Sequence, residues 1–163
     1  VLVLWYPKKN FPHLLLMLRH TYNGVHSAQV GFPGGKREEQ DRTEEDTALR
    51  EAQEEVNVDP GKINIIGKLT EVYIPPSRFL VHPFVAFTEN RPNFIPDPHE
   101  VAEIIECPVS LLLNEEIVKE KEIYIKMSGL KMKTPYFDIH GHTVWGATAM
   151  MLSELKEIIK RIK

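Results

Sequence analysis

One cysteine in 163 residues, Cys107, has no partner within the chain. That excludes an internal disulfide framework and fits a reducing compartment, so a cytoplasmic location is expected. Long apolar runs are missing too. Runs such as Leu14 to Leu18 have the length of a strand and fall far short of a membrane span. Neither sign of charge prevails, the net being −3, so no whole-surface field draws in nucleic acid or an anionic membrane. No secretory leader, internal repeat or low-complexity tract is visible. The chain opens on Val1 in mid-pattern without an initiator Met, and further N-terminal residues are expected ahead of it. What is there, 42% hydrophobic and 26% charged residues, is the mixture of an ordinary globular protein. The length suits a single domain over residues 1–163 with a sizeable core.

Patterning predicts alternating strands and helices. Val1 to Tyr6 and His13 to His20 read as strands joined by a turn at Pro7 to Pro12. Thr21 to Ser27 reads as a polar loop and Gln29 to Phe32 as a short strand. Thr43 to Val56 is a helix, with Thr43 as N-cap and Asp46 completing a capping box, and Asp59-Pro60-Gly61 stops it. Ile63 to Ile74, Phe79 to Thr88 and Val101 to Cys107 read as strands, the last two separated by a stiff loop carrying Pro92, Pro96 and Pro98. Pro108 to Leu113 is a short helical turn. Ile117 to Met127 and Pro135 to His140 are further strands, and Thr143 to Lys163 is a closing helix. The expected fold is α/β, a mixed β-sheet between helical layers.

The densest chemistry lies in Gly31 to Val58, a Gly-rich loop followed by a helix. At 3.6 residues per turn, Glu51, Glu54 and Glu55 share one arc, beside a buried stripe of Ala48, Leu49, Ala52 and Val56. Like charges at these spacings repel by a few tenths of a kcal/mol per pair, roughly. Three of them beside a core suit a cation, and hard divalent ions bound through carboxylate oxygens are the natural choice. A solvated acidic helix face is the plainer explanation of such a run. The Gly-rich loop and Arg50 at fixed spacing favour the metal.

Gly35 to Val58 resembles the Nudix box, Gly-x5-Glu-x7-Arg-Glu-U-x-Glu-Glu-x-Gly-U with U aliphatic. Arg50-Glu51-Ala52-Gln53-Glu54-Glu55-Val56 matches its second half residue for residue. Asp41 stands where the pattern has Glu, the spacing to Arg50 is one residue longer, and Asn57 replaces the last Gly. The resemblance implies a Nudix-type α/β/α sandwich. It also implies that Glu51, Glu54 and Glu55 hold Mg²⁺ or Mn²⁺ together with the Gly35 carbonyl, while Arg50 orients a carboxylate. The implied reaction is hydrolysis of a phosphoanhydride in a small-molecule nucleoside diphosphate derivative, by in-line attack of water. Homodimers are common in that superfamily, but no interface stripe is identifiable here.

Within the superfamily the chain is similar to the coenzyme A pyrophosphatase group. The motifs are Leu15 to Arg19, Ala28 to Lys36, Thr47 to Glu51, Val81 to Ala86 and Trp145-Gly146-Ala147-Thr148-Ala149. That likeness implies CoA or acyl-CoA as substrate, cut to 3′,5′-ADP and 4′-phosphopantetheine. Met17 in place of Thr, His20 in place of a small residue and Gly24 in place of Arg depart from the group. They keep open ADP-ribose, dinucleoside polyphosphates or nucleoside triphosphates as substrates, and a non-catalytic nucleotide-sensing module as a third reading. Arg19, Lys36, Arg37 and Arg78 are candidates for substrate phosphates. Glu100 and Glu103 are candidates for a further ligand or the water-activating base, with Glu103 preferred. Ser77 reads as a turn residue, Cys107 as a small buried hydrophobe, and the His140-Gly141-His142 pair as a turn without zinc-ligand spacing. Trp145 reads as a packing anchor. Tyr73, Tyr136 and Phe137 could stack on a base, though core packing is the expected role of each.

Overall fold

The computed structural model describes residues 1–20, 29–125 and 129–162. β1 (Leu2–Lys8) and β2 (Phe11–Arg19) form the expected hairpin, but its turn is tighter: both strands run through their prolines and Lys9-Asn10 alone reverses the chain. Their φ values, 50° and 65°, are those of a mirror-image turn that follows the right-handed twist of the strands. β3 (Val30–Gly31) pairs with the end of β2 at Met17 and Leu18. α1 (Glu44–Val56) begins at its capping box: Thr43 Oγ1 accepts the Asp46 N–H, and the Asp46 carboxylate accepts the Thr43 N–H. It ends on Asn57 at φ 58°, the left-handed conformation that asparagine tolerates. A 3₁₀ turn over Pro60–Lys62 follows, capped by Asp59.

Two expected strands are each broken in two. Ile63 to Ile74 forms β4 (Asn64–Lys68) and β5 (Val72–Ile74), and Phe79 to Thr88 forms β6 (Phe79–Val81) and β7 (Phe84–Phe87). Pro83 has no N–H to extend a ladder, and its carbonyl instead accepts the Leu69 N–H. The chain therefore leaves the main sheet at Leu69, makes the separate β5–β6 ribbon and returns after Pro83. The remaining elements are β8 (Val101–Pro108), α2 (Val109–Leu112), β9 (Val118–Ile125), β10 (Leu130–Ile139), β11 (His142–Val144) and α3 (Gly146–Ile162). β10 begins at Leu130 rather than Pro135. β11 reaches only Phe137 to Ile139, so Pro135 lies where one edge of β10 is open and a proline is tolerated. The closing helix starts at Gly146 rather than Thr143, because Thr143 and Val144 pair with β10 and Gly146, at φ 63°, turns the chain.

β8 takes one edge of β2 along His13 to Arg19, so β1 and β3 share its other edge. β1 pairs parallel with β7 and β4 closes the side antiparallel, which makes the sheet mixed. Strand alternation divides its two faces. Leu2, Leu4, Tyr6, Leu15 and Met17 pack with Ala48, Ala52 and Val56 of α1. Val3, Leu14 and Leu16 pack with Leu152 and Leu155 of α3 and Phe137 and Ile139 of the β9–β11 sheet. The expected α/β/α sandwich is thus present, with a second, three-stranded sheet reinforcing the α3 side. Each fully buried leucine of these clusters stabilises the frame by about 2 kcal/mol.

Candidate active site

Helical periodicity sorts the α1 carboxylates by depth. Glu55 follows Ala48 and Ala52 around the helix and is 1% exposed. The Glu51 side chain is 13% exposed and that of Glu54 58%. The loop ahead of α1 closes over the two inner groups. Gly34 N–H donates to Glu55 Oε2 at 2.8 Å. A Cβ on Gly35 would lie 2.5–2.6 Å from the carboxylate atoms of Glu51, so glycine alone allows this approach of backbone to carboxylate.

Arg19 completes the inner group. Arg19 follows Leu15 and Met17 on the α1 face of β2, and its guanidinium reaches α1. Nη2 donates to the Gly34 carbonyl at 2.6 Å, and Nη1 stands 2.8 Å from Glu55 Oε1. Oε1 is buried and receives no aligned hydrogen bond, so this contact is an ion pair. Burial outweighs Arg19 and Gly34 and pushes the Glu55 carboxyl up to about 7. Glu51 is raised as well, by burial first, against the opposing pull of Arg50.

Arg50 governs the outer group. Its Nε and Nη2 each donate to Asp41 at 2.9 Å, a two-pronged pair. Nη1 donates to Glu54 Oε2 at 2.8 Å, and Nη2 lies 3.1 Å from Glu51 Oε1 and 3.2 Å from the Lys36 carbonyl. Asp41 also accepts from Thr47 Oγ1 and Glu38 N–H, each at 2.9 Å. These donors hold Asp41 well below the usual carboxylate range, and the surrounding carboxylates hold Arg50 firmly charged. Asp41, seen in the sequence only as a departure from pattern, is therefore the anchor of Arg50.

Arg19, Gly35, Arg50, Glu51, Glu54 and Glu55 converge, and Lys36 joins them through its carbonyl. Arg37 lies nearby but is engaged with the Asp41 and Arg42 carbonyls and with Glu44. Arg78 sits apart, in the β5–β6 turn at φ 56°. Glu103 is not brought to the group. It shares a register position with Leu18 and pairs with His142 at 3.4 Å, on the α3 face of the sheet. The charge of Glu100 adds a small push that raises Glu51 further. This residue lies just ahead of β8, where periodicity gives no reading of direction. Met17 is fully buried against α1, so its departure from the motif belongs to the core. Gly24 and the loop around it lie outside the described residues.

Two motifs distant in sequence meet at β3: Thr148 Oγ1 donates to the Val30 carbonyl at 3.1 Å, tying the Trp145-Gly146 segment to the strand that follows Gln29. Cys107 is buried, its thiol pushed up to about 12, and Phe137 is in the core as expected. Tyr73 is not: it projects from the outer face of the ribbon, 57% exposed. Ser77 lies in the turn, its hydroxyl 3.5 Å from the Ile74 carbonyl.

The donor set fits a hard divalent cation. It offers carboxylate and carbonyl oxygens, the orphan Oε1 of Glu55, and a cradle at Gly35 that any Cβ would fill. Among the described residues no three Asp, Glu, His or Cys side chains already converge as a cage, and Glu54 is turned onto Arg50.

A carboxylate-bearing helix under a glycine loop, pinned by one arginine to one aspartate, defines the class. Residues 1–127 match the NUDIX domain family, and the chain belongs to it as a Nudix hydrolase. Two curated relatives sharpen this. The chain is 31% identical over 149 residues to the uncharacterized Nudix hydrolase NudL of Photorhabdus laumondii, over 91% of this chain and 78% of that protein. It is also 31% identical over 145 residues to Nudix hydrolase 15, mitochondrial, of Arabidopsis thaliana, over 85% of this chain. It spans 50% of that plant relative's length. Among solved structures, the Nudix hydrolase RenU of M. smegmatis superposes with a TM-score of 0.65 at 16% identity, over 99% of this chain and 84% of that one. That is a likeness of fold. Among the described residues no helix is long and apolar enough to cross a membrane.

Proposed function

We propose that residues 1–163 form one catalytic domain that hydrolyses the diphosphate of CoA or acyl-CoA to 3′,5′-ADP and (acyl-)4′-phosphopantetheine, in the cytoplasm, with Mg²⁺ or Mn²⁺. The observation that carries the reaction type is the graded set of Glu51, Glu54 and Glu55 under the Gly34-Gly35 backbone, fixed by Arg50 and Asp41. Glu51, Glu54, Glu55 and the Gly35 carbonyl would hold the metal. When bound, it neutralises diphosphate oxygens and acidifies water. Arg50 keeps Glu51 and Glu54 from splaying apart, and Gly34 N–H fixes Glu55. Water adds to one phosphorus, the bridging P–O bond breaks, and the water proton passes to a carboxylate. Glu100 suits that task better than Glu103, since its charge is felt at Glu51 while Glu103 is held by His142 on the α3 face.

The CoA assignment rests on the motifs around Gln29 and Trp145, supported by the contact that joins them and by the burial of Met17, which takes one departure out of the site. Incubation with CoA and Mg²⁺ or Mn²⁺, followed by chromatography, is expected to give 3′,5′-ADP. Cleavage of ADP-ribose or dinucleotides without 3′,5′-ADP from CoA would refute the substrate and retain the reaction.

A further inference from the structure

We propose that Arg19 is an exchangeable counter-ion, holding Glu55 until a divalent cation takes its free oxygen and then passing its guanidinium to the substrate diphosphate. This rests on the metal-dependent reading above and goes beyond it, because it assigns Arg19 a different partner in each state. The two oxygens of Glu55 are unequal. Oε2 is held by the Gly34 N–H at 2.8 Å, while Oε1 is buried, lacks an aligned hydrogen bond and has the Arg19 charge 2.8 Å away. A cation other than Arg19 would thus meet Glu55 at Oε1, where the two positive charges compete.

Arg19 is built to let go without leaving. Its Nη2 bond to the Gly34 carbonyl at 2.6 Å does not involve Glu55, so the side chain stays tethered to the loop when the ion pair breaks. The side chain is 20% exposed, so it already has a route to solvent and to an anion arriving there. A planar guanidinium suits a diphosphate oxygen pair as well as it suits a carboxylate. Arg50 shows the contrast. It is locked by two bonds to Asp41, with Glu54 on Nη1 and Glu51 beside Nη2. Arg19 is therefore the cation in this group whose partner a metal can replace.

The test is Mn²⁺ binding by electron paramagnetic resonance at about pH 8.5, above the ordinary carboxylate range, on wild type, Arg19→Met, Arg19→Lys and Glu55→Gln. If Arg19 competes with metal, Arg19→Met binds Mn²⁺ tighter by on the order of tenfold, and added Mn²⁺ raises its melting temperature more than that of wild type. Arg19→Lys keeps the charge and retains an affinity within about twofold of wild type. Both variants lose kcat/KM on a diphosphate substrate through KM more than through kcat. Weaker Mn²⁺ binding in Arg19→Met, or KM unchanged, would make Arg19 a plain scaffold for Glu55 and overturn the exchange. A gain of affinity in Arg19→Lys equal to that in Arg19→Met would implicate geometry rather than charge, and overturn it as well. Wild-type binding that Glu55→Gln leaves unaffected would overturn the metal reading itself, and the exchange with it.

Discussion

Replacing Gly35 by alanine separates the site from the scaffold in one step. The added Cβ falls 2.5 Å from Glu51 Oε1 and 2.6 Å from its Cδ and Oε2, whereas ordinary contact begins near 3.4 Å. The clash is with the far end of a flexible side chain, and Gly35 is not among the glycines with positive φ. The fold can therefore accept the methyl by moving Glu51, at a stability cost of about 1 kcal/mol or less. The carboxylate must retreat by about 1 Å, which takes it off the position set by Arg50 and, by the sensitivity of catalysis to such shifts, lowers the rate on the order of 100-fold. Gly34→Ala is the control. There a Cβ meets the Val1 backbone at 2.6 Å with φ at 148°, so stability is lost first. Melting curves and steady-state hydrolysis of a diphosphate would be measured on both variants. A Gly35→Ala protein that turns over like wild type, or that unfolds like Gly34→Ala, would refute this account of the loop.

Three further outcomes are expected. Glu55 titrates at about 7 in the folded chain and near the ordinary carboxylate value when unfolded, so between these the folded state holds the extra proton. Stability of the metal-free protein is then fully present at low pH and is lost as pH rises through 7, by at most about 3 kcal/mol. Denaturation in chelator from pH 5 to 8 should show this slope, and Glu55→Gln should flatten it. Asp41→Asn leaves Arg50 poorly anchored and is expected to lower metal affinity or turnover by about 10–100-fold, read from metal titration and kinetics. If Glu100 rather than Glu103 serves the reacting water, Glu100→Gln lowers kcat well below Glu103→Gln in side-by-side assays. Equal effects would remove that distinction.

Much of the site was legible because helix periodicity and capping are local. Thr43, Asp46 and the order of Glu51, Glu54 and Glu55 around α1 followed from spacing alone. Depth was less legible: Glu55 differs from Glu54 by one step around the helix, yet one is buried and the other exposed. The role of Arg19 was hidden for a different reason. A lone arginine on a strand reads as a phosphate partner; alternation puts it on the Met17 face beside α1, but only the passage of the Gly34 loop shows Glu55 to be its partner. Glu103 stays away from α1 because it sits opposite Leu18 on the regular register, on the α3 face. The broken strands at Leu69 and Pro83 were missed because apolar patterning continues across the point where the chain changes sheets.

The most direct test of the central claim is hydrolysis of CoA, ADP-ribose and a dinucleoside polyphosphate by wild type and Glu54→Gln, with Mg²⁺ or Mn²⁺ and with chelator. The exposed Glu54 carries no core contact, so the variant should melt as wild type does while losing turnover on the order of 100-fold or more, and chelator should abolish wild-type cleavage. Cleavage that survives chelation, or equal turnover in Glu54→Gln, would contradict a metal-dependent diphosphatase built on α1.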